Sequence, residues 1–425
     1  MKRILIALIA FLLLVPAAVL GYQILHNPDR AYSGAAVSDS AAQLERGAYL
    51  ARAADCVACH TARGGQPYAG GRSIATPFGD LYAPNITPDP ATGIGGWSAD
   101  DFWRAMHNGK GKDGGFLYPA FPYTSYTKVT RGDSDAIYAW LRTVAPVRQQ
   151  NRDHALRFPY NQRWLLAGWR ALYFRPGVFE PSANQSTQWN RGAYLVQGLG
   201  HCSACHSNRN VLGATPLRGE LSGGLIPISN WYAPALTPLA ATGLGDWQEA
   251  DLAALLKTGV SARSAVYGPM AEVVTQSLQH LSHDDIGAMA TYLKSLPQTE
   301  AAPAPASLAG AEAERMMEQG AKLYEKHCVD CHRADGSGTP PAYPRLAGNN
   351  SIAASAVNPI RMVLNGGYPP STSGNPRPYG MPPYGPILND AEVAALVTYI
   401  RASWGNHGAP VGPGEVGRYR TVPLE

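Results

Sequence analysis

The sequence predicts an all-α fold: three tandem helical domains with loop-rich connections, preceded by an N-terminal hydrophobic helix. Three observations carry that prediction. A five-residue pattern occurs at Cys56-Val57-Ala58-Cys59-His60, Cys202-Ser203-Ala204-Cys205-His206 and Cys328-Val329-Asp330-Cys331-His332, and it consumes all six cysteines. Around the first two copies a set of phrases repeats at a constant offset of 150 residues, which marks a duplicated structural unit. Each copy is led into by a helical segment and followed, after a long Gly- and Pro-rich stretch, by closing helices. A chain of 425 residues has room for about three domains, and 45% apolar content is enough for ordinary cores despite 45 glycines and 35 prolines.

The repeated pattern has a specific chemistry. Two thiols at i and i+3 can meet the two vinyl groups of one porphyrin, and the next residue offers an imidazole to the iron, so C-x-x-C-H reads as covalent attachment of haem c. A single copy would leave a redox C-x-x-C or half of a zinc site in contention. Three copies that use every cysteine weigh against both. The sequence therefore implies three haem c groups, bound through Cys56, Cys59, Cys202, Cys205, Cys328 and Cys331, with His60, His206 and His332 as axial ligands. Haem supplies much of the apolar surface that such small domains bury. A net charge of +4 over this length makes no case for nucleic acid.

The elements follow in order. Lys2 and Arg3 precede Ile4 through Leu25, an uncharged run of 22 residues, which makes residues 1–26 an export segment. It is read either as a cleaved signal sequence or, by its length, as a retained membrane anchor with its positive end in the cytoplasm. Both readings place the rest of the chain outside the cytoplasm. Residues 38–146 form the first domain: a helix through Arg46-Gly47-Ala48-Tyr49-Leu50, a second starting near Ser98 with Asp101 as capping-box partner, and a last one through Asp135–Leu141. Residues 187–298 repeat it, with Arg191–Leu195, Tyr232-Ala233-Pro234, Thr237-Pro238, Thr242–Gly245 and Trp247 answering Arg46–Leu50, Tyr82-Ala83-Pro84, Thr87-Pro88, Thr92–Gly95 and Trp97. The third domain, 310–405, is more divergent; Gly320–Tyr324 leads into its motif and Val397–Ile400 closes it.

The connections differ in character. Residues 299–309 are Ala/Pro-rich and read as an extended spacer. The link 147–186 holds Phe158, Tyr160, Trp164, Leu165, Trp169, Leu172 and Phe174; it is read as packing on its own neighbouring domains, with a docking or membrane-surface element as the alternative. The tail 406–425, rich in Gly and Pro, is expected to be poorly ordered.

A sixth iron ligand is normally a methionine or histidine on the loop before the last helix. Tyr379-Gly380-Met381-Pro382 and Tyr267-Gly268-Pro269-Met270 offer Met381 and Met270. In the first domain Pro119-Ala120 falls on Pro269-Met270, followed by Phe121, and no methionine lies between Met106 and the domain's end. That domain has His107 instead, where the other copies have Lys257 and Leu364. His107 is taken as the distal ligand, with Met106 or an open iron as alternatives, and bis-histidine ligation would give this haem the lowest potential of the three. His201, His280, His283 and His327 are assigned to surface or core.

The motifs, with Leu117–Lys128, Asn190–Leu195 and Leu199-Gly200-His201-Cys202, resemble the three-haem cytochrome c subunit of membrane-bound periplasmic dehydrogenases, which serves alcohol, gluconate, sorbitol and aldehyde dehydrogenases. Many relatives carry methionine where this chain has Phe121. The resemblance implies a separate catalytic subunit with a quinone cofactor, flavin or molybdenum centre, and electron flow through the haems to ubiquinone or a terminal oxidase. No catalytic residue set accompanies the motifs, so the chain reads as a non-catalytic electron-transfer subunit. The alternatives are a peroxidase-like haem enzyme using the first haem, and a free electron shuttle.

Overall fold

The computed structural model describes residues 2–25, 38–216, 220–238, 243–297 and 310–422. The Ala/Pro spacer 299–309 and Thr242 lie outside the described residues. The chain packs as two units: residues up to 182 with 194–201 and 210–216 form the first, and the remainder forms the second.

In the first unit, α1 spans Lys2–Leu25 and α2 spans Ala41–Ala53, capped by the Ser40 hydroxyl on the Gln43 N–H. The one-turn helix α3 carries Cys56–Cys59. Two strands follow, β1 (Ser73–Thr76) and β2 (Gly79–Tyr82), then α4 (Ala99–Asn108), the one-turn α5 (Tyr123–Tyr126) and α6 (Arg131–Leu141). Ser98 and Asp101 close the expected capping box on α4 reciprocally. The link adds β3 (Ala155–Leu156) and α7 (Leu166–Tyr173).

The second unit holds most of α8 (Thr187–Tyr194), α9 (Ser203–His206), a hairpin of β4 (Gly224–Ile226) and β5 (Trp231–Ala233), α10 (Glu249–Thr258), α11 (Pro269–Gln276) and α12 (His283–Lys294). It continues through α13 (Ala311–His327), α14 (Val329–His332), α15 (Asn350–Ala354), α16 (Val357–Asn365), α17 (Asp390–Ala402) and α18 (Pro413–Arg420).

Three expectations need correction. The fold is not all-α: β1, β2 and β3 form an antiparallel sheet in that order, and β4 pairs with β5. These strands have four residues or fewer, too short to show an alternating pattern, and they sit inside the stretches read as loops. Gly79 makes the sheet possible, since a Cβ there would lie 2.3 Å from the Ala155 carbonyl oxygen. The N-terminal hydrophobic segment is not shown to be a membrane span: among the described residues no helix is long and apolar enough to cross a membrane. Pro16 lies inside α1 and interrupts its backbone ladder, and Gln23 near its end accepts from Arg170 Nε at 3.2 Å. Finally, residues 413–420 of the tail form α18, with Val416 of that helix and Val411 just before it both buried.

Each repeat is closed by the same helix crossing. A Cβ on Gly47 would sit 2.0 Å from the Ala136 carbonyl oxygen, on Gly192 1.9 Å from that of Ala288, and on Gly320 2.3 Å from that of Ala395. Thus α2 meets α6, α8 meets α12 and α13 meets α17 at backbone distance, a contact only glycine allows. Ion pairs brace the first two crossings: Arg46 Nε to Asp133 at 2.9 Å, and Arg191 to Asp285 through two bonds of 2.8 and 2.7 Å. The first core gathers Leu50, Ile137 and Leu141, and the third Ile360, Val393 and Leu396, all without exposure beyond 1%. Each such side chain contributes roughly 1.5–3 kcal/mol by leaving water.

The link packs on its own unit. Arg170 of α7 is buried, donates to the Asn108 carbonyl, and lies over the rings of Phe174 (4.6 Å) and Phe116 (5.2 Å). Phe158, Trp164 and Leu172 remain exposed.

Candidate functional site

The motif histidines are set by one repeated contact. His60 Nδ1 lies 2.7 Å from the Pro84 carbonyl oxygen, His206 Nδ1 2.7 Å from that of Pro234, and His332 Nδ1 3.0 Å from that of Pro344. A ring whose Nδ1–H is given to a carbonyl keeps Nε2 as a lone-pair donor, the arrangement a metal-bound imidazole uses to fix its tautomer. Burial holds all three imidazoles below their ordinary pKa, opposed by those carbonyls, so each is a neutral donor near pH 7. These prolines fall outside the C-x-x-C-H pattern and were not among the expected site residues. Their signal was present, because Tyr82-Ala83-Pro84 and Tyr232-Ala233-Pro234 stand in the phrase repeated at offset 150.

The chain turns sharply into two of the motifs, with left-handed backbone at Asp55 (φ 50°) and His201 (φ 36°) just before the first cysteine. Burial, joined by Asp55, pushes the Cys56 thiol up to about 12, and burial pushes Cys202 and Cys328 to about 12 as well. A dithiol redox motif needs the opposite, a thiol stabilised as thiolate. A zinc site needs further ligands. Among the described residues no group of three or more His, Cys, Asp or Glu converges to hold an ion. Two cysteines beside an oriented imidazole fit thioether attachment of haem c. Downstream arginines tie each of the first two motifs to its loop: Arg72 Nη1 donates to the Ala58 carbonyl at 2.6 Å and Arg209 Nη2 to that of Ala204 at 2.5 Å.

Tyrosines wall the first and third sites. Tyr126 donates its hydroxyl to the Ala54 carbonyl at 2.9 Å, and Tyr384 donates to that of His327 at 2.8 Å. Both phenols are pushed up, first by burial and then by the adjacent cysteine pair. No separate sequence signal marks them, since their roles depend on loops distant along the chain.

The distal sides diverge. Met270 lies half-buried in the first turn of α11, and Met381, also half-buried, pairs with Gly367 through two backbone bonds of 2.8 and 3.0 Å. In the first repeat the bridge Lys110↔Phe116 closes a loop one residue longer than its counterpart Val260↔Ala265. Counting from those bridges, Phe121 and not Ala120 takes the place of Met270. Phe121 packs on Tyr126 with tilted rings, centroids 5.4 Å apart.

His107 is buried and stacked on Trp103 at 4.4 Å and 11°, with Nδ1 3.4 Å from Thr127 Oγ1. Met106 is buried beside it on α4. At the matching place in the second repeat, Lys257 Nζ donates to the carbonyls of Gln279 (2.6 Å) and Leu281, in the connection from α11 to α12. Of the remaining histidines, His280 and His283 are exposed, His327 packs on Tyr384, and His201 is packed edge-on against Tyr126.

Comparison with known proteins identifies the family. The cytochrome c family profile matches residues 44–145, 190–297 and 317–404, once for each motif. The chain is 43% identical to the gluconate 2-dehydrogenase cytochrome c subunit of Pantoea cypripedii, over 88% of this chain and 89% of that one. It is 39% identical to the cytochrome c subunit of the quinone alcohol dehydrogenase of Gluconobacter oxydans, over 90% and 83%. It is also 37% identical to the fructose dehydrogenase cytochrome subunit of Gluconobacter japonicus, over 90% of this chain and 84% of that one. With its repeated attachment motifs, prolyl-oriented histidines and these relatives, the chain belongs to the cytochrome c family, among the cytochrome c subunits of dehydrogenases.

Proposed function

We propose that this chain is the three-haem electron-transfer subunit of a dehydrogenase complex on the periplasmic side of the bacterial inner membrane. It takes electrons from a catalytic subunit of the quinoprotein, flavoprotein or molybdenum type and delivers them to ubiquinone or a terminal oxidase. The observation that carries this reading is the threefold recurrence of one donor set: a C-x-x-C-H turn with His Nδ1 on a prolyl carbonyl. Bound haem c supplies a one-electron Fe(III)/Fe(II) couple. The chain's own residues orient the imidazoles, shield the sites and present the distal side chains, with Met270 and Met381 as sixth ligands to the second and third haems and His107 to the first.

The test is purification of the native protein in mild detergent, with a haem-to-protein ratio, identification of stoichiometric companions, and a survey of substrates that reduce the haems. The expected result is three haems, one co-purifying dehydrogenase and substrate-driven reduction. An isolated protein that no substrate reduces would overturn the subunit reading. Phe121 in the place of methionine favours a second reading, a peroxidase-like first haem. Rapid binding of carbon monoxide by the reduced protein would support it.

A further inference from the structure

We propose that the C-terminal segment is a clamp on the distal loop of the third repeat, with Arg420 as its positioning residue. The inference rests on the reading of Met381 as the sixth ligand of that haem.

Met381–Leu388 is the last part of the long connection from α16, which ends at Asn365, to α17, and it is held at three points. Met381 pairs with Gly367 at its start. Tyr384 holds its middle, with its N–H on the Val363 carbonyl at 2.9 Å and its hydroxyl on that of His327 at 2.8 Å. The end of the loop is where the repeats differ. In the second repeat Lys257 reaches from α10 to the carbonyls of Gln279 and Leu281, the latter just before the N-cap Ser282 of α12. The third repeat has Leu364 at the matching position, buried and with no donor to offer.

Here the carbonyls of Gly385, four residues before the N-cap Asn389, and of Leu388, which matches Leu281 just before the N-cap, accept from Arg420. Its Nη1 lies 2.7 Å from the first oxygen and its Nη2 2.5 Å from the second, while Nε turns to Asp390 in the first turn of α17. One planar guanidinium thus reaches three acceptors, a geometry its fork of donors suits and an ammonium cannot copy.

The segment that delivers Arg420 is anchored independently. The Val411 N–H donates to Thr398 Oγ1 at 2.9 Å, the Gly408 N–H donates to the Arg401 carbonyl at 2.8 Å, and Val416 is fully buried. A methionine thioether is a neutral ligand carried on an irregular loop, so its residence on the iron depends on how seldom that loop opens.

The test uses full-length protein with its haems. Met381→Ala first defines the third repeat's share of the far-red sulfur-to-iron charge-transfer band of the ferric protein. Arg420→Gln is then expected to bind added imidazole at that haem about tenfold faster, the factor of one charge-assisted hydrogen bond, to lower that haem's potential, and to lose its far-red share at a lower temperature. Arg420→Lys restores part of each. Asp390→Asn, which frees only the anchor of the guanidinium, is expected to give the same changes in smaller measure. If Met381→Ala leaves the band untouched, the ligand reading fails and the clamp with it. If Met381→Ala removes its share while Arg420→Gln and Asp390→Asn match the parent protein in band, potential and imidazole rate, the clamp alone is overturned.

Discussion

The first and second repeats share their proximal halves nearly atom for atom and differ in their distal halves. On the proximal side both have the C-x-x-C-H turn, an imidazole on a prolyl carbonyl at 2.7 Å, an Arg–Asp brace and a glycine pressed on a helix carbonyl. At the positions proposed to face the far side of each iron, one has Phe121 and His107, and the other Met270 and Lys257. Attachment of a cofactor tolerates little variation, because two thioethers and one imidazole must meet a rigid ring together. The distal side adjusts potential and access, so it is free to diverge.

The largest effects should come from breaking what the two repeats share. Gly47→Val and Gly192→Val each place a side chain within about 2 Å of a backbone carbonyl. Each should cost its repeat more than about 3 kcal/mol, since the helices must move apart. Thermal unfolding with haem retention as the readout checks this. If one repeat tolerates the valine and the other does not, the shared crossing is not what closes both.

The distal contrast is sharpened by exchange. His107→Lys installs the second repeat's residue in the first. If the imidazole binds iron, the low-spin bis-histidine signal of the first haem disappears from the electron paramagnetic resonance spectrum and carbon monoxide gains access. If His107 serves only in packing, on Trp103 and against Thr127, the spectrum is unchanged. Phe121→Met, which places a thioether where the bridge register puts it, is expected to raise the potential of the first haem above its parent value in a redox titration.

These differences also mark what could be read from the chain. The motif, the capping box at Ser98–Asp101 and the duplicated phrases are local, so the sequence displays them directly. Two- to four-residue strands inside Gly/Pro stretches carry too few side chains to announce a period, and the all-α expectation failed there. The tail was misread for a related reason. Its glycines and prolines suggest disorder, but Val411 and Val416 find partners that are set by tertiary packing. The one-residue slip that puts Phe121 opposite Met270 comes from unequal loops between bridges, which a constant offset conceals.

A smaller effect is expected at Lys257. Replacement by Met leaves the carbonyls of Gln279 and Leu281 without their donor but keeps the stem's packing, and should cost the second repeat about 1 kcal/mol, reduced by partial solvation. Denaturant unfolding followed at the second haem measures it. A loss equal to that of Gly192→Val would mean the contact secures the whole repeat and not the loop end alone.

The smallest predicted effect separates the two repeats by pH. Asp89 accepts from the Thr92 hydroxyl and N–H at 2.7 Å each and from the Ala91 N–H at 3.1 Å, and these bonds hold its carboxyl below the ordinary 3.8. At offset 150 the second repeat has Leu239, which carries no carboxylate. A carboxyl with a depressed folded-state pKa binds fewer protons folded than unfolded. Its contribution is therefore fully present above the unfolded value and is lost as pH falls through the lower folded one. Asp89→Asn removes that titration. The stability difference between parent and variant should be constant near neutral pH and shrink below about pH 4, at the first repeat and not at the second. A difference that persists unchanged into acid would show that the turn is held by its hydrogen-bond geometry, which asparagine can reproduce in part, and not by the charge of Asp89.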